Sequence, residues 1–256
     1  MGNPPTCTSN AMHSQLAFGL LCLATAASPL RTLNRQCWHE YPLSTVNLQT
    51  SSDAKLETFE HLTPDILGTP NLRPSYDPWS YPPVCTKTLK GVGSKLCVYT
   101  DTSFSHGRGI SIFTTPSLAA KIATLPAFQD LDAHSNVNVY SGSWNTQVIP
   151  GKGLGMLAKR HLKFKDRITA YTPALLAYLE TDLPTMEREK FFRIAVMQLP
   201  EQLRNMYLQL ATVYGLPHVR YQDIVKANTF QLEIKGHNHL AVFPETSRLN
   251  HACSPK

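Results

Sequence analysis

None of the six cysteines (Cys7, Cys22, Cys37, Cys85, Cys97, Cys253) stands in a Cys-x-x-Cys pair, which excludes a zinc finger, a thioredoxin-like redox site and the MYND type of zinc module. Walker and Gly-x-Ser-x-Gly strings are missing as well, so neither a P-loop nor a nucleophile elbow can be read. Charged residues make up only 16% of the chain and no Gly-X-Y or low-complexity repeat dominates it, while 42% hydrophobic residues over 256 positions suffice for a core. Full disorder is excluded; one domain with a sizeable appendage is the expectation. Strand-helix alternation is also lacking after the glycines, and a dinucleotide site needs a helix directly after its glycine turn, so a Rossmann arrangement fails.

No transmembrane span is expected. The apolar run at residues 16–27 (LAFGLLCLATAA) is too short for a bilayer and has the length of a signal-peptide h-region, with Ala24-Thr25-Ala26 as a cleavage pattern. Against that reading, no Lys or Arg precedes the run, which begins far from Met1, although a start at Met12 would shorten the distance. Residues 1–28 are therefore read as a signal-like leader, with a short buried helix as the alternative. Removing the leader leaves four cysteines, compatible with two disulfides of undetermined connectivity or with free buried thiols.

The formal net charge is +6. Residues 1–150 carry 9 side chains of each sign and residues 151–256 carry 15 basic against 9 acidic, so the excess sits in the C-terminal part. Such an excess can attract nucleic acid or anionic lipid. Without aromatic interleaving it reads as a solvated face, and no nucleic-acid partner is expected.

Proline reaches 19 residues, and Pro64, Pro70, Pro74, Pro78, Pro82 and Pro83 crowd together with Tyr76, Trp79 and Tyr81. That pattern predicts extended chain packed on its own aromatics within a Pro-rich, mixed N-terminal region, 29–146. Within it, LCVYT (96–100) and GISIFT (109–114) predict a hairpin joined through Ser105-His106-Gly107-Arg108. Ser117 is a candidate cap for a helix over 118–123, and residues 136–140 are a further strand candidate. Beyond Gln147 the pattern predicts short strands at 147–149, 156–158 and 167–170. Residues 183–215 then predict a helical hairpin: one helix over 184–198, and a second opened by Pro200, with Leu203, Met206, Tyr207, Leu210, Ala211 and Tyr214 on one stripe ending at Gly215.

Two strings carry the candidate chemistry. One is Pro150-Gly151-Lys152-Gly153-Leu154-Gly155-Met156-Leu157-Ala158, whose alternating glycines let backbone approach a ligand closely, although a tight surface turn explains them equally well. Gly107-Arg108-Gly109 has the same spacing and reads as a decoy. The other is Phe243-Pro244-Glu245-Thr246-Ser247-Arg248-Leu249-Asn250-His251-Ala252-Cys253-Ser254-Pro255, which has few structural reasons to arise by chance. His237-x-His239 with His251-x-Cys253 could be written as a four-ligand zinc set, but alternate residues on a strand often include one facing solvent, and no metal is assigned; His237-Asn238-His239 also spells a nuclease-like triplet, which without a ββα-metal pattern around it reads as a turn.

The pair of strings resembles the SET-domain family of S-adenosylmethionine-dependent protein-lysine methyltransferases, in particular SMYD-like and fungal SET proteins without the zinc module. The resemblance spans residues 147–255; residues 29–146 lie outside it. It implies an α+β class: a β-rich SET-like fold of short strands, of the β-clip type, with a helical insertion, 147–256 being a partial SET domain. It also implies that S-adenosyl-L-methionine is held by Lys152, Gly153, Leu154 and Gly155 from the glycine turn, by Asn250 at its methionine part and by backbone groups of His251 at its adenine. The implied partner is a protein substrate with a target lysine, inside the cell, whereas the leader points to the secretory route. Three departures stand out. Lys256 takes the place of the family's Asn and is the last residue of the sequence. No tyrosine-bearing strand follows the Asn-His segment, and Tyr171, Tyr178, Tyr214 and Tyr221 do not replace it by position. Lys165 stands where the family has a turn glycine, and a non-glycine at positive φ costs about 1 kcal/mol. The expectation is a C-terminally truncated copy with impaired methyl transfer and no assigned catalytic residue, or else a non-catalytic remnant that binds a partner, or a secreted disulfide-bonded protein.

Overall fold

A computed structural model of the chain describes residues 76–151 and 153–249. The leader-like run, four of the cysteines (Cys7, Cys22, Cys37, Cys253), and Lys152, Asn250 and His251 lie outside the described residues. Runs rich in β-branched and aromatic residues form eight short strands: β1 (Val84–Cys85), β2 (Cys97–Asp101), β3 (Ile110–Thr114), β4 (Trp144–Ile149), β5 (Gly153–Ala158), β6 (Leu175–Tyr178), β7 (Thr229–Ile234) and β8 (His237–Val242). Six of them share one mixed sheet in the order β1-β2-β3-β6-β8-β7, and β4 and β5 form a separate hairpin. The β3–β6 pairing, Ile112 opposite Leu176, is parallel, and every other pairing is antiparallel. Among the described residues four helices of eight residues or more accompany them: α1 (Pro116–Ala123), α2 (Thr185–Met197), α3 (Glu201–Leu208) and α4 (Arg220–Asn228). The class is α+β. Among the described residues no helix is long and apolar enough to cross a membrane.

Both faces of the sheet are covered, which is why β2 and β3 are buried at every position rather than alternately. On β3, Ile110 and Ile112 join Leu118 and Ile122 of α1, together with Leu176 and Ala241. Phe113 points the other way, into a larger cluster with Leu175, Leu240 and Val242 of the sheet and with residues of α2, α3 and α4. Its ring stacks on Phe191 at 5.3 Å and meets Phe192 edge-on at 6.0 Å. Burying each such side chain contributes about 1.5–3 kcal/mol. At the sheet edge Cys85 and Cys97, opposite one another in the β1–β2 register, form a disulfide.

The helices are tied down by buried carboxylates. Glu180 pairs with Arg188 at 2.7 Å and accepts the Leu183 amide at 2.8 Å, closing the approach to α2. Glu189, on α2, accepts the amides of Tyr221 and Gln222 and so serves the exposed first-turn donors of α4. Burial pushes the Glu189 carboxyl up, against the two amide bonds that pull it down.

The β2–β3 hairpin, the 147–149 and 156–158 strands and the helix over 184–198 are found close to where the sequence puts them. Other expectations are corrected. The cap of α1 is Thr115, whose hydroxyl accepts the Leu118 amide at 3.3 Å, and Pro116, not Ser117, opens the helix. Residues 136–140 form no strand, because Asn138 is left-handed (φ 63°), its side chain accepting the Thr172 amide and donating to Ser105. Residues 167–170 form none either: the Ile168 carbonyl accepts the Trp144 indole and the Ala170 carbonyl accepts the Asn138 amide. The second helix of the expected hairpin ends at Leu208, not at Gly215. The Asp223 carboxylate takes the amides of Val213, Tyr214 and Gly215 at 2.9–3.1 Å, which withdraws them from any i→i−4 ladder. His237-Asn238-His239 is not a turn but the first half of β8.

Candidate functional site

The glycine string folds as the β4–β5 hairpin, with Ile149 opposite Gly153, Val148 opposite Leu154 and Gln147 opposite Gly155. Two of its glycines are required by backbone conformation, Gly151 (φ 72°) and Gly153 (φ 74°). A Cβ at Gly153 would meet no protein atom within 4 Å, so the space beside its Cα is open. Leu154 is exposed and Gly155 buried. Side-chain bonds moor the hairpin to the body: the Trp144 indole donates to the Ile168 carbonyl at 3.0 Å, and Ser141 Oγ donates to the same carbonyl at 3.3 Å.

The second string leaves β8 at Phe243, whose buried ring meets Phe230 edge-on at 5.7 Å. It then makes a tight 3₁₀ turn over Thr246–Arg248, held by the Ser247 amide on the Phe243 carbonyl at 2.8 Å. The Ser247 hydroxyl donates to the Asn228 carbonyl at 3.1 Å and the Arg248 guanidinium to the Gln209 carbonyl at 3.2 Å. This turn lies beside β5, with Cα atoms of the two within 8 Å. The described part of the arginine-to-proline string and the strand that opens at Gly153 are therefore neighbours. Lys152, Asn250 and His251 are outside the described residues, so of the six cofactor-binding candidates the structure places Gly153, Leu154 and Gly155.

A residue read as part of a decoy turns out to anchor the second string to the connection between β2 and β3. Arg108 donates to both Glu245 oxygens, each at 2.7 Å, and to the Thr172 carbonyl at 3.3 Å, and its guanidinium lies 5.6 Å from the Tyr171 ring centroid. The pair is well buried, 14% exposed at Arg108 and 9% at Glu245, so each charge depends on the other. Burial, followed by the Glu245 charge, pushes the Tyr171 hydroxyl up. Next to it, Gly109 is left-handed (φ 86°) and packs closely on Pro200, where a Cβ would come within 2.5 Å of the ring. Only the Gly-Arg-Gly spacing hinted at this, and that spacing does not say which carboxylate the arginine meets.

Both ring nitrogens of His239 are engaged within the fold, while His251 and Cys253 lie outside the described residues. His239 is fully buried, with Nδ1 3.0 Å from the His237 carbonyl and Nε2 3.1 Å from Thr114 Oγ1. A carbonyl only accepts, so Nδ1 carries the proton and Nε2 accepts from the threonine hydroxyl. Both nitrogens are occupied, and burial pushes the imidazole down to about 4. No group of three His, Cys, Asp or Glu suited to a metal occurs among the described residues.

Two surface depressions lie elsewhere. One of about 540 Å³ is lined by Thr88 to Gly91 and Asp182. Another of about 370 Å³ lies among Tyr76, Trp79, Tyr99 and Ala119. Neither touches the glycine turn. Comparison of the chain with protein-family models, with curated proteins and with solved structures finds no match.

Proposed function

We propose that residues 147–255 are a SET-type methyl-donor site and that the chain binds S-adenosyl-L-methionine as a protein-lysine methyltransferase of that family does. The observation that carries the proposal is the adjacency of two distant strings. The strand opened by Gly153 lies beside the Thr246–Arg248 turn, two residues short of Asn250. Left-handed Gly151 and Gly153 leave the backbone of the turn open to a ligand carrying a free amino-acid head, which such carbonyls and amides suit. Lys152, Gly153, Leu154 and Gly155 would hold the donor from one side and Asn250 and His251 from the other.

When bound, the cofactor supplies an electrophilic methyl on sulfur. The chain's contribution is to position the donor and keep water from it, and the Arg108–Glu245 pair ties the second string to the connection between β2 and β3. The substrate would be a protein with a target lysine. Calorimetric titration of the full chain with S-adenosylmethionine tests the proposal. Saturable heat is expected, weakened by roughly tenfold or more in Gly153→Val and Asn250→Ala, since each removes one side of the cradle. No heat at millimolar ligand would end it. A second reading, a partner-binding module without catalysis, draws on the exposure of Val148 (79%) and Leu154 (41%), paired on one face of the hairpin. It predicts no donor binding and an association that Val148→Asp weakens.

A further inference from the structure

Directly after β5 the chain enters a loop, residues 159–167, that contains Lys159, Arg160, Lys163, Lys165 and Arg167 with a single acid, Asp166. Its net +4 is most of the +6 carried by the whole chain. Asp166 is occupied within the loop, pairing with Arg160 at 2.8 Å and accepting the Lys163 amide at 3.1 Å. Lys159, Lys163 and Lys165 are exposed. The loop is not a ragged tether: the Asp166 amide donates to the Lys163 carbonyl at 3.0 Å, with Lys165 left-handed (φ 71°) at the position where such turns prefer glycine.

This turn lifts Phe164 into water. The side chain is 87% exposed, more than any other large hydrophobic residue described, and the Lys165 ammonium lies 5.7 Å from its ring centroid. The aromatic interleaving that the charge pattern was expected to lack is therefore present at this one point, Lys163-Phe164-Lys165. A protruding ring flanked by ammonium groups on long aliphatic stems has the chemistry of an anionic bilayer interface. The ring can enter the acyl boundary, the stems can follow it, and the ammonium groups can stay among headgroups. Single-stranded nucleic acid is held by successive stacking platforms along a basic track, and this loop offers one ring. A protein anchor is enclosed by a ring of further contacts, whereas Phe164 stands out between two exposed lysines, with the one nearby acid, Asp166, already paired with Arg160.

We propose that the loop formed by residues 159–167 docks on anionic lipid surfaces, with Phe164 inserted and Lys163 and Lys165 contacting headgroups. The loop follows the end of β5 remote from the glycine turn, so the proposal does not rest on the methyl-donor reading. The test is co-sedimentation of the full chain with vesicles of phosphatidylcholine alone and with about 30% phosphatidylserine, at low and high salt. Binding is expected only with phosphatidylserine, weakened by salt, reduced by roughly tenfold or more in K163E/K165E and several-fold in F164A. A tryptophan probe at the tip, Phe164→Trp, should shift its emission to the blue with phosphatidylserine vesicles and not with phosphatidylcholine; this variant keeps an aromatic and reads insertion even if the charge reversals fold poorly. Because the leader-like run is retained in every variant, the difference between variants isolates the loop. Unchanged binding by F164A and K163E/K165E, equal binding to both vesicle types, or no binding at all overturns the proposal. So does tighter binding of single-stranded RNA that F164A loses.

Discussion

The six-stranded sheet and the β4–β5 hairpin are built from similar residue types and differ in what covers them. Phe113 of the sheet lies between two phenylalanines of α2 with no exposure, whereas Val148 of the hairpin is 79% exposed. The sheet is held by burial on both faces and the hairpin by a few polar ties, chiefly the Trp144 indole on Ile168. Apolar content alone does not make a core; a second surface must arrive to cover it. In this chain the candidate chemistry sits on the less covered piece, where backbone stays open to ligands.

The comparison can be broken first at its strongest point. Phe113→Ala should cost about 4 kcal/mol in chemical denaturation, while Val148→Ala changes stability by less than about 0.5 kcal/mol. Equal losses would mean that the hairpin is as much core as the sheet. Next, acid should act on the sheet through His239. Its folded value of about 4 lies below the ordinary 6.5, so the unfolded chain takes up a proton that the native chain refuses. From this group stability is level above pH 7, falls from about pH 6.5 to about pH 4 by up to about 3 kcal/mol, and levels again below. In urea titrations across that range, His239→Gln should flatten this part of the profile; an unchanged profile would assign the slope to other groups.

A smaller effect is expected at the ion pair that ties the β2–β3 connection to the segment after β8. Arg108→Met leaves the Glu245 carboxylate buried without its partner and should cost about 2 kcal/mol, with much of it recovered in the double variant carrying Glu245→Leu. A double-mutant cycle with no coupling would show that the pair is incidental. The smallest change should be a gain: Lys165→Gly relieves a left-handed lysine and should stabilise by about 1 kcal/mol, read as a higher denaturation midpoint.

What could be read from residues was what depends on neighbours in sequence. The β2–β3 hairpin followed from two apolar runs around a turn-rich connection, and short strands on either side of the glycines were read as well, although their pairing and their full length, 144–149 and 153–158, were not. The stripe from Leu203 to Tyr214 overran because Asp223, further along the chain, claims the amides of Val213, Tyr214 and Gly215, and no local pattern announces that. The short α4 was not read at all, although Tyr221, Ile224, Val225 and Asn228 stand at helical spacing. For the candidate site, the two strings were visible and their adjacency was implied only by resemblance. Arg108 was passed over because its role lies in Glu245, far away in the chain. Phe164 was passed over because exposure belongs to the fold and not to the residue.

The parallel contact between β3 and β6 has a practical consequence for anyone dividing the gene. A fragment starting at Gln147 would keep the glycine turn and the arginine-to-proline string but lose β1, β2 and β3, and β6 would then present a bare row of amides and carbonyls to solvent. Such a piece would be prone to self-association through that open margin, and Glu245 within it would have no Arg108 to meet. Expression trials should begin upstream of Trp79, whose ring rests against Tyr99 and Phe128.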